Sequence, residues 1–379
     1  MPRLNRKVAG LISAIIAVSL LLVGLWPFAF RPLNNAGWLK QRTGLAFRVA
    51  GVAYDPEPLD WSVRTQPDQP GAFTVELWLE PVPVPATDAF YLLTIDDGQV
   101  PAGAALCQWE TELLLRVRDP ANARGFREVG PEDALAGEDL RVLAVTASPS
   151  GTSFYTNGLL ADRFPGFTVP RSHLGGRLVL GNAITGKHPW TGNLLGLAIF
   201  NRALDAPEIA RHHDWWARAE AKRLASEAGL TALYLFDESA GLVAHDYSPH
   251  QHRLLVPERY TVLRKRVLEP PWGPSAIKLS DLDDIVVNIL GFIPFGFMVF
   301  WHRWLVKPGS RIGNLVWTVS AGATVSLAIE LIQVWLPNRT SSLLDLLTNT
   351  LGTFLGVLIA RRILPKGTRA ADHQPNFPH

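Results

Sequence analysis

The sequence predicts a two-part protein: an all-β sandwich of two sheets and an α-helical bundle of four membrane-spanning helices. Three observations carry this. Val8 to Phe30 contains no charged residue. Between Asp284 and Ile363 lie three further apolar stretches with ionisable or amide side chains near their ends. Between these two regions, short alternating runs are separated by Gly, Pro and Asn turns, the pattern of a sandwich.

Residues 1–7 precede the first span, 8–30. That run is long enough for a helix to cross roughly 30 Å of hydrocarbon. A cleaved signal peptide is the competing reading, but its core is usually about 7–15 apolar residues before a small-x-small site. This run is longer and ends Trp26-Pro27-Phe28-Ala29-Phe30, which favours a retained anchor with an interfacial aromatic end. The other helices are expected at 285–302, 315–336 and 342–362, within a membrane region 284–363, followed by a tail, 364–379. Arg3, Arg6 and Lys7, then Arg303, Lys307 and Arg311, then Arg361, Arg362, Lys366 and Arg369 fall on one side of a four-span chain. By the positive-inside rule that side is the cytoplasm, which holds both termini, and residues 37–275 are extracytoplasmic. Arg31, Lys40 and Arg42 oppose this weakly, because long domains translocate largely regardless of charge.

The outer region is long enough for its own core. A formal net charge of +2 and the lack of a basic stripe argue against nucleic acid as a partner. Cys107 stands alone, so no internal disulfide staples the domain. Phe73 to Leu79 alternates apolar and polar residues, as a strand with one buried face requires. Phe90 to Ile95, Glu112 to Val117, Leu140 to Thr146, Thr152 to Tyr155, Arg177 to Leu180 and Leu194 to Phe200 read the same way. Asn157-Gly158 marks a two-residue hairpin turn. Ala206 to Ala228, rich in Ala, Arg and Glu, reads as a helix packing Trp215-Trp216 on the sandwich edge; a membrane-surface helix is the alternative. Pro270, Pro271 and Pro274 form a stiff connection to the bilayer.

The strand Phe73 to Leu79, the Phe154-Tyr155-Thr156-Asn157-Gly158 hairpin, and Trp190 to Gly196 leading into Ile199 to Leu204 and Glu208-Ile209 resemble the laminin-G-like, concanavalin A-type jelly roll over residues 45–215. One segment departs from the family order: Leu233 to Glu238 with Gly241 and Asp246-Tyr247-Ser248 follows the sandwich instead of preceding it. A permuted C-terminal strand accounts for this; an incomplete second repeat is the other account. The membrane region has its own resemblance. Asn288 to Gly296, Glu330 to Gln333 with Pro337 and Arg339, and Asp345 to Gly352 are similar to the VanZ-like membrane family, which includes a protein implicated in teicoplanin resistance. That resemblance implies a cell-envelope membrane protein and supplies no reaction.

A charge at membrane depth costs several kcal/mol unless it faces a partner, so Asp284, Asn288, Glu330, Gln333, Asp345 and Asn349 are expected to look inward. Ser326, Glu330 and Gln333 share one helix face, and Asp345 and Asn349 another that Gly352 and Gly356 continue. Arg339, in the joining loop, lies within reach of either carboxylate, so these residues form a candidate ligand-binding pocket. A hydrogen-bonded network that only fixes helix register is the alternative. The spans hold no cysteine, and Ser341-Ser342 reads as an ordinary helix start, so no catalytic set is evident. No cofactor is expected. Calcium at Asp96-Asp97-Gly98 competes with a plain turn there, and His245, Asp246, His250 and His252 fit no zinc spacing. His212-His213-Asp214 reads as helix surface.

Three functions fit: recognition of a cell-surface glycan or glycan-bearing envelope component by the sandwich, with the bundle as its anchor or as a second site for a lipid-linked molecule; an intramembrane enzyme acting on such a lipid, using Glu330 or Asp345 as acid or base with Arg339 holding an anionic group; or a structural adaptor for another protein. The lipid bilayer is the one partner common to all.

Overall fold

The alternating runs form strands in the computed structural model, which describes residues 5–59, 71–85, 88–271, 281–308, 310–337 and 339–364. Arg3, Pro274, Lys366 and Arg369 lie outside the described residues, as does nearly all of 364–379. The chain divides into two compact units, Arg31–Arg264 and Met1–Phe30 with Lys265–His379.

In the first unit, β1 (Ala36–Trp38), β2 (Leu45–Phe47), β3 (Ala53–Pro58), β4 (Phe73–Pro81), β5 (Phe90–Asp96), β6 (Ala104–Trp109), β7 (Glu112–Arg118) and β8 (Phe126–Val129) come first. They are followed by β9 (Arg141–Ser148), β10 (Gly151–Thr156), β11 (Leu159–Pro165), β12 (Arg177–Leu180) and β13 (Gly192–Phe200). Three strands, β14 (Leu230–Tyr234), β15 (Val243–His245) and β16 (Arg253–Leu255), lie beyond a helix, α2 (Ala206–Ala217). One sheet runs β1-β2-β13-β4-β9-β10-β11 with β14 also on β13; the other runs β15-β16-β3-β12-β5-β6-β7-β8. Inward residues of both, among them Phe47, Leu77, Leu143, Leu178 and Trp190, make one core. The Asn157-Gly158 turn has φ of 50° and 78°, the left-handed pair that a two-residue hairpin needs.

The late segment serves both sheets: β14 pairs with β13 and β16 with β3. The ends of the unit also pair. Asn34 donates to the Glu258 carbonyl at 3.0 Å and Tyr260 to that of Pro32 at 3.0 Å.

Asp205 and Glu208 cap α2 reciprocally. The helix stops short of Ala228: Ala219 takes φ of 58°, and the Ala219 and Glu220 N–H groups bind the carbonyls of Trp216 and Trp215. Trp216 is fully buried against Trp78, ring centres 5.9 Å apart, so this helix packs on the sandwich. His212, expected at the surface, is fully buried instead. It lies between the rings of Phe200 and Trp215, with Nδ1 2.7 Å from Glu76 Oε1, while Trp216 Nε1 donates to Glu76 Oε2 at 3.0 Å. The acid on β4 meets one ring nitrogen of each residue, His212 Nδ1 and Trp216 Nε1, which is what lets the imidazole face the sheet. Asp96 pairs with Arg177 and Asp97 with Arg118, while Asp96 also caps the turn through the Gly98 N–H at 3.0 Å. Asp246 accepts from Leu233, Ser248 and His252 backbone N–H groups.

The second unit consists of α1 (Arg6–Leu25), α3 (Asp281–Val306), α4 (Arg311–Gln333) and α5 (Leu343–Ile363). Each is long and apolar enough to cross a membrane. The first ends before Phe30 because Trp26 precedes Pro27, whose ring disfavours helical backbone at the residue before it. Glycines set the closest approach. A Cβ on Gly296, Gly352 or Gly356 would lie 2.0–2.3 Å from a backbone carbonyl oxygen of Thr353, Ile289 or Ile293, so α3 and α5 meet backbone to backbone.

Candidate functional site

The buried residues of α4 are mostly polar or small: Asn314, Thr318, Gly322, Ser326, Glu330 and Gln333. Large apolar side chains such as Ile312, Val316 and Leu331 point outward. This reverses the pattern of a water-soluble helix and suits lipid outside. α5 faces the stripe with Asn349, Gly352 and Thr353, and Thr318 and Thr353 turn their hydroxyls onto the carbonyls four residues back at 2.7 and 3.0 Å.

At the α4–α5 end the predicted residues separate into two groups. Glu330 is 1 % exposed, and its Oε2 accepts from the Ser342 N–H at 2.7 Å, at the amino end of α5 where the helix dipole favours an anion. Asn349 Nδ2 donates to Ser326 Oγ at 3.0 Å. Asp345 is half-buried, bonded by the Asn288 and Ser342 side chains, with Asp284 and Arg339 as neighbouring charges. Asp284 itself is exposed on α3, one turn before Asn288.

The Gln333 amide nitrogen and the Arg339 guanidinium reach α1. Gln333 Nε2 donates to the Gly24 carbonyl at 2.9 Å, and Arg339 Nε and Nη2 donate to that of Trp26 at 3.1 and 2.8 Å. These carbonyls lie at the end of α1, where the helix leaves them without a backbone partner. Among the described residues, no ion pair joins Arg339 to Glu330 or Asp345. A strap missed from the sequence completes the end. Lys265 Nζ donates to the carbonyls of Leu336, of Pro337 at 3.2 Å and of Arg339 at 2.7 Å, while Glu269 bridges Ser341 and Leu343 through its backbone. An extended strap has no periodicity by which to find it.

The sandwich offers a second candidate. One sheet has its outer face covered by α2 through Trp216 and Ile209 and by Leu224 in the turn after that helix. The other carries, on β5 to β8, Tyr91, Trp109, Arg116, Phe126 and Glu128. Arg116 bonds the Tyr91 hydroxyl at 3.0 Å and Glu128 Oε2 at 2.8 Å, with its guanidinium 3.9 Å from the Phe126 ring centre. His188 stacks on Tyr91, centroids 5.6 Å apart. Burial pushes the Tyr91 phenol up to about 12, so it stays a donor. Cys107 beneath is fully buried, its thiol likewise raised to about 12 by burial. The signal was an arginine inside the apolar run Leu113-Leu114-Leu115-Arg116-Val117.

Two family models match the chain: VanZ/LLP1 over residues 228–364 and the concanavalin A-like lectin/glucanases superfamily over residues 60–210. No curated protein matches. Similar solved structures include a candidate carbohydrate binding protein from Bacteroides ovatus at 15 % identity and TM-score 0.39, covering 57 % of this chain and 58 % of that one. Others are the sialidase CBM40 of Ruminococcus gnavus bound to α2,3-sialyllactose, at 13 % and 0.34, covering 45 % and 96 %, and the SAP-like pentraxin of Limulus polyphemus, at 13 % and 0.30, covering 48 % and 80 %. The chain thus spans little more than half the length of the Bacteroides protein. It is a concanavalin A-like sandwich joined to a VanZ-like membrane region.

Proposed function

We propose that this is a cell-envelope membrane protein whose sandwich recognises a glycan or glycan-bearing envelope component and whose helices hold it in the bilayer. The observation that carries this reading is the β5–β8 face, where Arg116 joins Tyr91 and Glu128 beside Phe126 and Trp109. Saccharides present apolar C–H faces and pairs of hydroxyls. Aromatic rings cover the former, while a fixed guanidinium and carboxylate bond the latter. The concanavalin A-like family model supports it. A glycan array probed with the full chain in nanodiscs tests it. Arg116→Ala and Trp109→Ala are expected to abolish the signal, with far-ultraviolet circular dichroism unchanged; no glycan bound by the parent chain, or equal binding by both variants, ends the reading.

The reading places both termini in the cytoplasm. A reporter fused after Pro308 is expected to report cytoplasm and one in the Gly151 to Asn157 turn the exterior. A link to glycopeptide susceptibility extends the reading through the VanZ family. Deletion of the gene without change in teicoplanin susceptibility removes that extension.

A further inference from the structure

Oxygen acceptors without matching donors collect where α4 hands over to α5. Gln333, 7 % exposed, has its amide orientation fixed because Nε2 must serve the Gly24 carbonyl, and its Oε1 takes no hydrogen bond from any described residue. Asn349, 4 % exposed, spends Nδ2 on Ser326, and its Oδ1 is likewise without a donor. Both sit beside Glu330: Ser326, Glu330 and Gln333 follow at i, i+4 and i+7 on one buried face of α4, and Asn349 is bonded to the first of them. Glu330 has one backbone N–H at 2.7 Å and, among the described residues, no ion pair.

Two bases lie close by, and both serve backbone. Arg339 is held by the Trp26 carbonyl, and Lys265 by three carbonyls of the α4–α5 loop. A buried acceptor without a donor costs about 1–3 kcal/mol, so two of them beside a buried carboxylate call for a shared partner. A proton on Glu330 supplies a single O–H and satisfies one orphan acceptor at most. A metal ion can satisfy all of them. Carboxylate, amide and hydroxyl oxygens are hard ligands, and the single fully buried carboxylate balances one positive charge. Asp345, the second acid, is half-buried and already bonded by Asn288 and Ser342.

We propose that Glu330, Gln333 Oε1, Asn349 Oδ1 and Ser326 Oγ form a site for a hard monovalent cation of the sodium class at the α4–α5 end of the bundle. The test is thermal unfolding of the full chain in nanodiscs, titrated with NaCl against choline chloride at constant ionic strength and fixed pH. The parent chain is expected to show a saturable sodium-dependent rise in Tm. Glu330→Gln, which keeps shape and the acceptor for Ser342, is expected to lose that rise, as is Gln333→Leu. Radioactive sodium binding by scintillation proximity, expected in the parent and lost in Glu330→Gln, reads the site even where a variant is less stable. An equal rise with choline, an unchanged rise in Glu330→Gln, a response to magnesium at lower concentration than sodium, or a Tm that follows pH alone would overturn the proposal.

Discussion

Buried acids are treated differently in the two units. In the sandwich they meet a basic or ring N–H partner: Glu76 binds His212 and Trp216, Asp96 binds Arg177, and Asp55 faces His252 at 3.3 Å. In the bundle Glu330 receives one backbone N–H, while Arg339 and Lys265 attend to carbonyls. The difference follows from which carbonyls are open in each unit. A helix end leaves its last carbonyls without backbone partners, so basic side chains are drawn to them first. In the sandwich the ladder hydrogen bonds already use the carbonyls, and bases remain for the acids.

Breaking one acid in each unit sharpens the contrast most. Glu76→Ala leaves the Trp216 N–H and the His212 ring buried without partners and is expected to cost about 2–5 kcal/mol by urea unfolding. Glu330→Gln, measured in choline chloride, is expected to change stability by less than about 1 kcal/mol, because the amide oxygen still accepts from Ser342 and a buried charge is removed. Equal losses would erase the distinction.

Glycines give the next largest effect. Gly352→Ala places a methyl 2.3 Å from the Ile289 carbonyl and is expected to cost about 1–3 kcal/mol by separating α3 from α5. Gly166→Ala in the sandwich meets nothing within 4 Å, but its φ of 77° costs about 1–2 kcal/mol. Gly352→Ala should shift helix packing in cross-linking between α3 and α5, whereas Gly166→Ala should shift only Tm.

Strands whose outward positions are polar were legible even where those positions are buried: Thr74 and Glu76 keep the alternation of Phe73–Pro81, although the α2 segment covers them. Ala104–Trp109 was not, because both its faces are covered and no alternation survives. In the bundle the polar positions showed through, since lipid forbids them elsewhere. Their partners did not. Arg339 finds a carbonyl 313 residues away that is open only because Pro27 ends α1, and spacing within a loop cannot convey that. His212 reads as helix surface in the sequence because its partner, Glu76, lies on a strand 136 residues earlier.

The acid–histidine pairs offer a smaller test. The Asp55 carboxylate beside its ring raises the His252 pKa against the opposing effect of burial. A raised folded value stabilises fully below the unfolded pKa, and the contribution is lost as pH rises through the folded one. Asp55→Asn is therefore expected to destabilise more at pH 5 than at pH 8.5; the reverse order would break the assignment. Smallest is Arg42→Ala, whose pairing with Glu80 is half-exposed at the arginine and is worth less than about 1 kcal/mol, declining with salt.

The pairing of residues 32–34 with 258–260 governs the order of events during synthesis. Both sheets wait for one late segment, since β14 completes the first and β15 and β16 extend the second. A ribosome that has made β13 therefore holds two unfinished sheets with open edges. The unit can close only after about sixty further residues have followed, so its folding is tied to the moment just before α3 is made. Unpaired edges invite pairing with other chains in that interval. A stall placed between residues 205 and 228 is expected to yield a protease-sensitive nascent sandwich, and one placed well beyond residue 264 a resistant one.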